Sequence, residues 1–205
     1  MIDKISKRIL VFLSNNNQND EQKQILLFGI TRIVEDIPKT IGIVIIGLLL
    51  GILKEMLIVT FVLAIYKTFA GGVHAKTNLG CFVYSVLFYL LIIYTAKYLI
   101  LGGVSQLYVY FLIYIFVVYT IIVYVPADVP EIPKVNIKLR KTLKIKSFVV
   151  LNLIYVGAFV IIKNILIQNL LVYSVFYISV MTTRTIYNIF KTQYGFETYV
   201  PDELI

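Results

Sequence analysis

The chain has one cysteine and one histidine in 205 residues. A single cysteine permits no internal disulfide, so no covalent framework holds the fold. A zinc site takes three or four ligands from Cys, His and carboxylates, and here His74, Cys81 and Glu35 would have to suffice. No metal and no cofactor is therefore expected. Charge is scarce too: 15% of residues are charged against 60% hydrophobic, with a mean hydropathy of +0.88. A soluble domain is nearer half apolar and a quarter charged. The excess excludes a soluble bundle and makes lipid part of the solvent. Acidic residues are fewer than basic ones, 11 against 19, for a net charge of +8. In a soluble protein that balance would suggest nucleic acid. No tract interleaves basic residues with aromatics on a polar background, so nucleic acid is set aside. In a membrane chain the excess reports Lys and Arg beside anionic lipid on the cytoplasmic face. No signal peptide is expected, because "MIDKISKRILVFLSNNNQND" is too charged and its apolar run too short. Neither an internal repeat nor a second domain is visible.

What the chain does have is charge-free runs, at 40–53, 56–66, 77–96, 98–127, 147–162 and 164–183. A span takes about 20 mostly apolar residues. The third, fourth and sixth runs are long enough and the fifth nearly so; the first two need flanking polar residues that snorkel or bury. The breaks alternate in kind. Those at Lys54-Glu55, Gly102-Gly103 and Lys163-Asn164 are tight. The N-terminus through Lys39, the segments 67–80 and 126–146, and the tail from Arg184 are longer, and together hold 16 of the 19 Lys and Arg. The positive-inside rule then predicts six spans with both termini cytoplasmic.

Ahead of the spans, Ile2, Ile5, Ile9, Phe12 and Leu13 recur at helical spacing with Lys4, Lys7 and Arg8 between them, as in a helix lying on a membrane surface. Residues 22–37 are amphipathic again, and Pro38 predicts a boundary or kink. The expected architecture is an all-α polytopic membrane bundle of about six transmembrane helices plus an N-terminal amphipathic interfacial helix. It forms one domain over 1–205, with 1–37 as the amphipathic cytoplasmic or interfacial region and 126–146 as a basic cytoplasmic loop. That loop carries prolines at 126, 130 and 133, which forbid regular helix in its first half, then six basic residues. It reads either as a topology anchor on anionic headgroups or as a dock for an acidic partner segment.

His74 and Cys81 fall seven residues apart in "AGGVHAKTNLGC". A cysteine opening an apolar helix is commonly a small hydrophobe, and an interfacial histidine a polar anchor. A catalytic pair is the other reading, and three local features favour it. Lys67 and Lys76 supply positive charge beside the thiol. Gly71-Gly72 and Asn78-Leu79-Gly80 are turn residues on both sides of His74. No serine stands near the histidine as a competing nucleophile. A straight helix would separate the two residues by about 10.5 Å along its axis, so a pair within hydrogen-bond reach requires a helix break within 71–80. Among residues that could orient His74, Glu35 ranks first, with Asn78, Thr77 and Asp36 behind it. Arg184, at the end of the last span, reads as an interface anchor.

The stretch "YKTFAGGVHAKTNLGC" resembles the signature of the accessory gene regulator B (AgrB) family, bacterial membrane cysteine endopeptidases that process quorum-sensing peptides. Gly71, Gly72, His74, Ala75, Lys76 and Cys81 carry the match, "YVPADVPEIPK" resembles the family's proline-containing cytoplasmic loop, and the likeness covers essentially the whole chain. Lys67 stands where family members commonly have arginine, keeping the charge but losing the planar fork. The resemblance implies an AgrD-type propeptide as partner: an amphipathic leader, a core with a cysteine or serine, and an acidic tail. It implies Cys81 as nucleophile before the tail, His74 as base and then acid, and thiolactone or lactone closure of the core. Lys67, Lys76, Lys134, Lys138, Arg140 and Lys141 would bind substrate. A homodimer in the bacterial cell membrane, with its site on the cytoplasmic side, is expected. The competing reading is a non-catalytic membrane protein such as a peptide exporter or transporter subunit. Transport needs polar groups within the spans, and the chain offers little beyond Gln106, Asn152, Gln168 and Asn169.

Overall fold

In the computed structural model, residues 2–13, 19–73, 77–100, 103–130 and 133–199 are described. Among them the chain is helical, with one isolated backbone bridge and no strand. It divides into two compact units, Met1–Leu53 and Lys54–Ile205.

The first unit pairs α1 (Ile2–Leu13) with α2 (Asp20–Leu49). Helix α2 opens on a capping box: the Asn19 side chain accepts from Gln22 N–H at 2.8 Å, and Asn19 N–H donates to Gln22 Oε1 at 3.2 Å. The expected boundary at Pro38 is not a terminus, because α2 runs on through it to Leu49. Proline removes its own N–H from the ladder and crowds the carbonyl one turn back, but the other hydrogen bonds of the helix can remain. Nearby, Thr40 Oγ1 donates back to the Asp36 carbonyl at 2.9 Å and Lys39 Nζ pairs with Asp36 at 3.0 Å, so the adjoining turn is tied by side chains.

The second unit is built on α3 (Leu53–Ala70), α4 (Asn78–Tyr98), α5 (Gly103–Val123), α6 (Ile137–Val156) and α7 (Ile165–Met181); a π-helical turn, Gly157–Ile161, extends α6. By length and composition α4, α5 and the continuous Ile137–Ile161 can cross a membrane, and α7 is a shorter apolar helix. Helix α7 is central. It packs on α4, α5 and α6, and its Ser179 hydroxyl lies 3.5 Å from that of Tyr66 on α3. Many apolar side chains point outward, including Phe61, Leu87, Phe111, Leu112 and Ile122, as expected where lipid replaces water. The chain is an all-α membrane bundle.

Specific polar contacts set the two ends of this unit. At one end Lys97 pairs with Glu55 at 3.0 Å, bringing the end of α4 to the start of α3. Asn169 there donates to the Ala96 carbonyl at 2.9 Å and accepts from Gln106 at 2.7 Å and from Tyr110. The breaks at Lys54-Glu55 and Lys163-Asn164 lie at this end, as does Gly103 at the start of α5. The other end gathers the close of α3, the start of α4, the proline segment 124–136, the basic first turns of α6, and α8 (Arg184–Ile189) and α9 (Gly195–Tyr199).

Candidate functional site

Helix α3 stops at Ala70 and α4 begins at Asn78, so the helix break expected between the glycines and the cysteine is present. The break starts with Gly71 at φ +80° and Gly72 at φ +131°, backbone conformations open to residues without a Cβ. A parallel bridge then pins the chain to the proline segment. Ala127 N–H donates to the Ala70 carbonyl and Gly72 N–H to the Ala127 carbonyl, both at 2.8 Å. Val73 follows, buried in a cluster with Ala127, Val129, Tyr187 and Tyr194.

His74 and Lys76 lie outside the described residues. The chain resumes at Thr77, whose hydroxyl accepts from Gly80 N–H at 3.1 Å and caps α4. Cys81 is a half-buried free thiol in the first turn of that helix, with its N–H bonded to the Thr77 carbonyl at 2.8 Å. Thr77, weighed as an orienter, is thus occupied as a cap, and Asn78 is the first helical residue. Lys67 lies in the last turn of α3. Glu35 and Asp36 belong to the first unit, on α2.

The basic half of 126–146 is not a loop: from Ile137 it forms the first turns of α6, capped by Asn136. Its cations divide by role. Arg140 turns inward, donating to Asp128 Oδ1 at 3.2 Å, to the Lys134 carbonyl and the Pro126 carbonyl at 3.3 Å each, and covering the Phe196 ring at 4.3 Å. Lys134 N–H donates to Asp128 Oδ2 at 2.7 Å. Burial, with Arg140 nearby, pulls the Lys134 ammonium below the usual lysine range, against the opposing pull of Asp128. Lys144 donates to the Ile122 carbonyl at 2.7 Å, satisfying the end of α5. Lys138 and Lys141 remain exposed.

Asp128 escaped the sequence reading, yet its side chain is fully buried at the centre of this knot. Its carbonyl also accepts from Tyr187 OH at 3.1 Å and Gly195 N–H at 3.3 Å. The available signal was a carboxylate in the proline half of a basic segment. Tyr84 was missed as well. It stands one turn beyond Cys81, donates to Met181 Sδ, and meets Phe190 edge-on at 5.3 Å. Arg184, expected as an interface anchor, pairs with Glu197 and lies over the Tyr194 ring at 5.9 Å.

No solved structure matches the chain. Among curated relatives, a protein of Clostridium acetobutylicum named as AgrB-like is 28% identical over 178 residues, covering 84% of this chain and 82% of its own. One from Clostridium perfringens strain 13, named as AgrB-like protein 2, is 26% identical over 157 residues, covering 75% and 73%. The family model described as Accessory gene regulator B matches residues 6–186. That span runs from within α1 to the middle of α8 and includes the glycine turn, Cys81, Asp128 and Arg140. The chain therefore belongs to the accessory gene regulator B family, and with it to the agr quorum-sensing system.

Proposed function

We propose that this protein is a membrane cysteine endopeptidase that removes the C-terminal tail of an AgrD-type propeptide and closes the remaining core into a ring. The observation that carries the reading is the place of Cys81. The only thiol of an AgrB-family chain sits in the first turn of α4, just past a helix break, at the end of the bundle where the basic segments converge.

In this scheme the Cys81 sulfur attacks the carbonyl that precedes the tail. His74 accepts the thiol proton and returns it to the departing amine as the C–N bond breaks. The core is left as a thioester on Cys81. A nucleophile within the core, a cysteine thiol or serine hydroxyl, then attacks the thioester carbonyl, forms the thiolactone or lactone, and releases Cys81 with its proton restored. Water would compete for the same thioester, and a thiol half-buried among apolar helices is better shielded from it than an exposed one. The exposed Lys138 and Lys141 suit an acidic tail, whereas Arg140 is engaged within the fold. A cytoplasmic site follows from the positive-inside rule applied to these segments. The transporter reading loses ground because the buried amides Gln106 and Asn169 bond to each other and Asn169 bonds to the Ala96 carbonyl.

Mass spectrometry of a co-incubated AgrD-type propeptide is the test. The wild-type chain should yield a free tail and a core one water lighter than the linear acid. Cys81→Ala should insert normally and yield neither. Normal processing by Cys81→Ala would end the proposal.

A further inference from the structure

The family match stops at residue 186, but the chain continues as a folded arm. The arm is held mainly by buried contacts. Its Arg184–Glu197 pair is largely exposed, 66% and 38%, and exposed pairs contribute little to stability. Tyr187 and Tyr194 instead stack at 4.2 Å inside the cluster that buries Val73. Tyr187 OH reaches the Asp128 carbonyl, and Tyr194 OH reaches the Thr182 carbonyl at 2.6 Å. At Gly195 the arm comes so close to the proline segment that a Cβ would stand 2.3 Å from the Val129 carbonyl oxygen.

The same arm touches α4. Phe190 packs edge-on against Tyr84, which also stacks on Phe88 of its own helix at 5.7 Å and bonds to Met181. Tyr84 is three residues beyond Cys81, so the two side chains share a helix face. Helix ends fray unless tertiary contacts hold them, and the Thr77 cap of this helix is exposed. Met181, where the arm departs from α7, lies beside Gly72, with an ideal Cβ on Gly72 falling 3.7 Å from the Met181 carbonyl oxygen. One arm therefore grips the glycine segment at Val73, through Tyr187 and Tyr194. It also grips the turn that follows Cys81, through Phe190.

We propose that the arm beyond residue 186 is the positioning element of the thiol site, with Phe190 the positioning residue that sets the first turn of α4, and hence Cys81, against the glycine segment 71–73 through Tyr84. This rests on the endopeptidase reading above. Reacting atoms must approach to roughly 3–3.5 Å, and a misplacement of about 1 Å can cost a hundredfold in rate. A ring that holds the nucleophile's helix acts on kcat and leaves substrate affinity alone.

The experiment uses the full chain in nanodiscs with a synthetic AgrD-type propeptide, following tail release. Phe190→Ala should lower kcat about tenfold or more while KM stays within about twofold. Phe190→Tyr, which keeps the ring edge, should restore kcat. Tyr84→Leu should lower kcat similarly, and the double variant should be no slower than the slower single, since both break one contact. If Phe190→Ala does not accumulate, Phe190→Leu, which keeps apolar volume without the ring edge, carries the same expectation. An unchanged kcat, a loss confined to KM, or losses that multiply in the double variant would overturn the proposal. Cys81→Ala run in parallel separates the failures. Tail release without Cys81 sinks the endopeptidase reading, whereas Cys81-dependent release at full speed in Phe190→Ala sinks only the role of the arm.

Discussion

Gly71 lies so close to Ala127 that a Cβ built on it would stand 2.1 Å from the Ala127 carbonyl oxygen. Its φ of +80° adds a second constraint, since L-residues with side chains pay strain there of order 1–3 kcal/mol. Gly71→Ala should therefore detach the glycine segment from the proline segment. The expected result is a lower thermal midpoint in detergent and a loss of propeptide processing larger than that midpoint shift explains. A variant with wild-type stability and activity would show that the bridge is dispensable.

Asp128 and Arg140 should behave as a unit. Removing one member of a buried pair costs about 3–5 kcal/mol, because the other charge is left without compensation. Asp128→Asn and Arg140→Gln should each destabilise the protein, and the double variant should lose clearly less than the two losses combined. Arg140→Lys should not rescue, because one ammonium cannot span Asp128, the Lys134 carbonyl and the Pro126 carbonyl as the guanidinium does. Denaturation of the four proteins in one detergent completes the cycle, and additive losses would mean the pair is not coupled.

The buried amide cluster at the opposite end should matter for stability alone. Asn169→Leu takes one hydrogen-bond partner each from Gln106, Tyr110 and the Ala96 carbonyl, while the Gln106–Tyr110 bond remains. Interhelical hydrogen bonds in membranes are worth about 1–2 kcal/mol at most, so a modest fall in thermal midpoint is expected with processing retained. A selective loss of processing at wild-type stability would show that this end takes part in function.

Tyr187 predicts an alkaline sensitivity. Burial, with Tyr194 and Asp128 adding, raises its phenol above the ordinary tyrosine value. Below about pH 10 the phenol is neutral in both folded and unfolded chains. Above that pH the unfolded chain ionises first, so the stability linked to neutral Tyr187 is lost as pH rises. Tyr187→Phe should be less stable at neutral pH, lacking the bond to the Asp128 carbonyl, yet fall less steeply above about pH 10. Equal slopes for the two proteins would refute the linkage.

Much of the architecture was legible because it rests on local composition. Each of the six charge-free runs has most of its length in helix; Asn164 caps α7 where Lys163-Asn164 interrupts the hydropathy, and α5 opens at Gly103, whereas Lys97, between the third and fourth runs, lies inside α4. Gly71-Gly72 forecast the end of α3, since a pair of residues lacking Cβ is a poor helix former next to a polar stretch. Pro38 misled as a boundary, because a helix that keeps its other hydrogen bonds can run through one proline. Arg140 looked like a member of an open basic dock. Its partner Asp128 is twelve residues away, and only the tertiary fold brings the carboxylate back to α6.

By itself the sequence determined the membrane environment, most of the helical segments, the alternation of charged and uncharged connections and the isolation of one thiol beside one histidine. These follow from hydropathy, charge and backbone freedom, which act over a few residues. Only the tertiary structure decided that residues 70–73, 125–130 and 182–195 form one knot with Lys134 and Arg140, that Asp128 is its buried centre, and that Phe190 stands against Tyr84 one turn from Cys81. Those pairings join residues up to about a hundred positions apart, and close packing and the need to satisfy buried polar groups select them where no local pattern can.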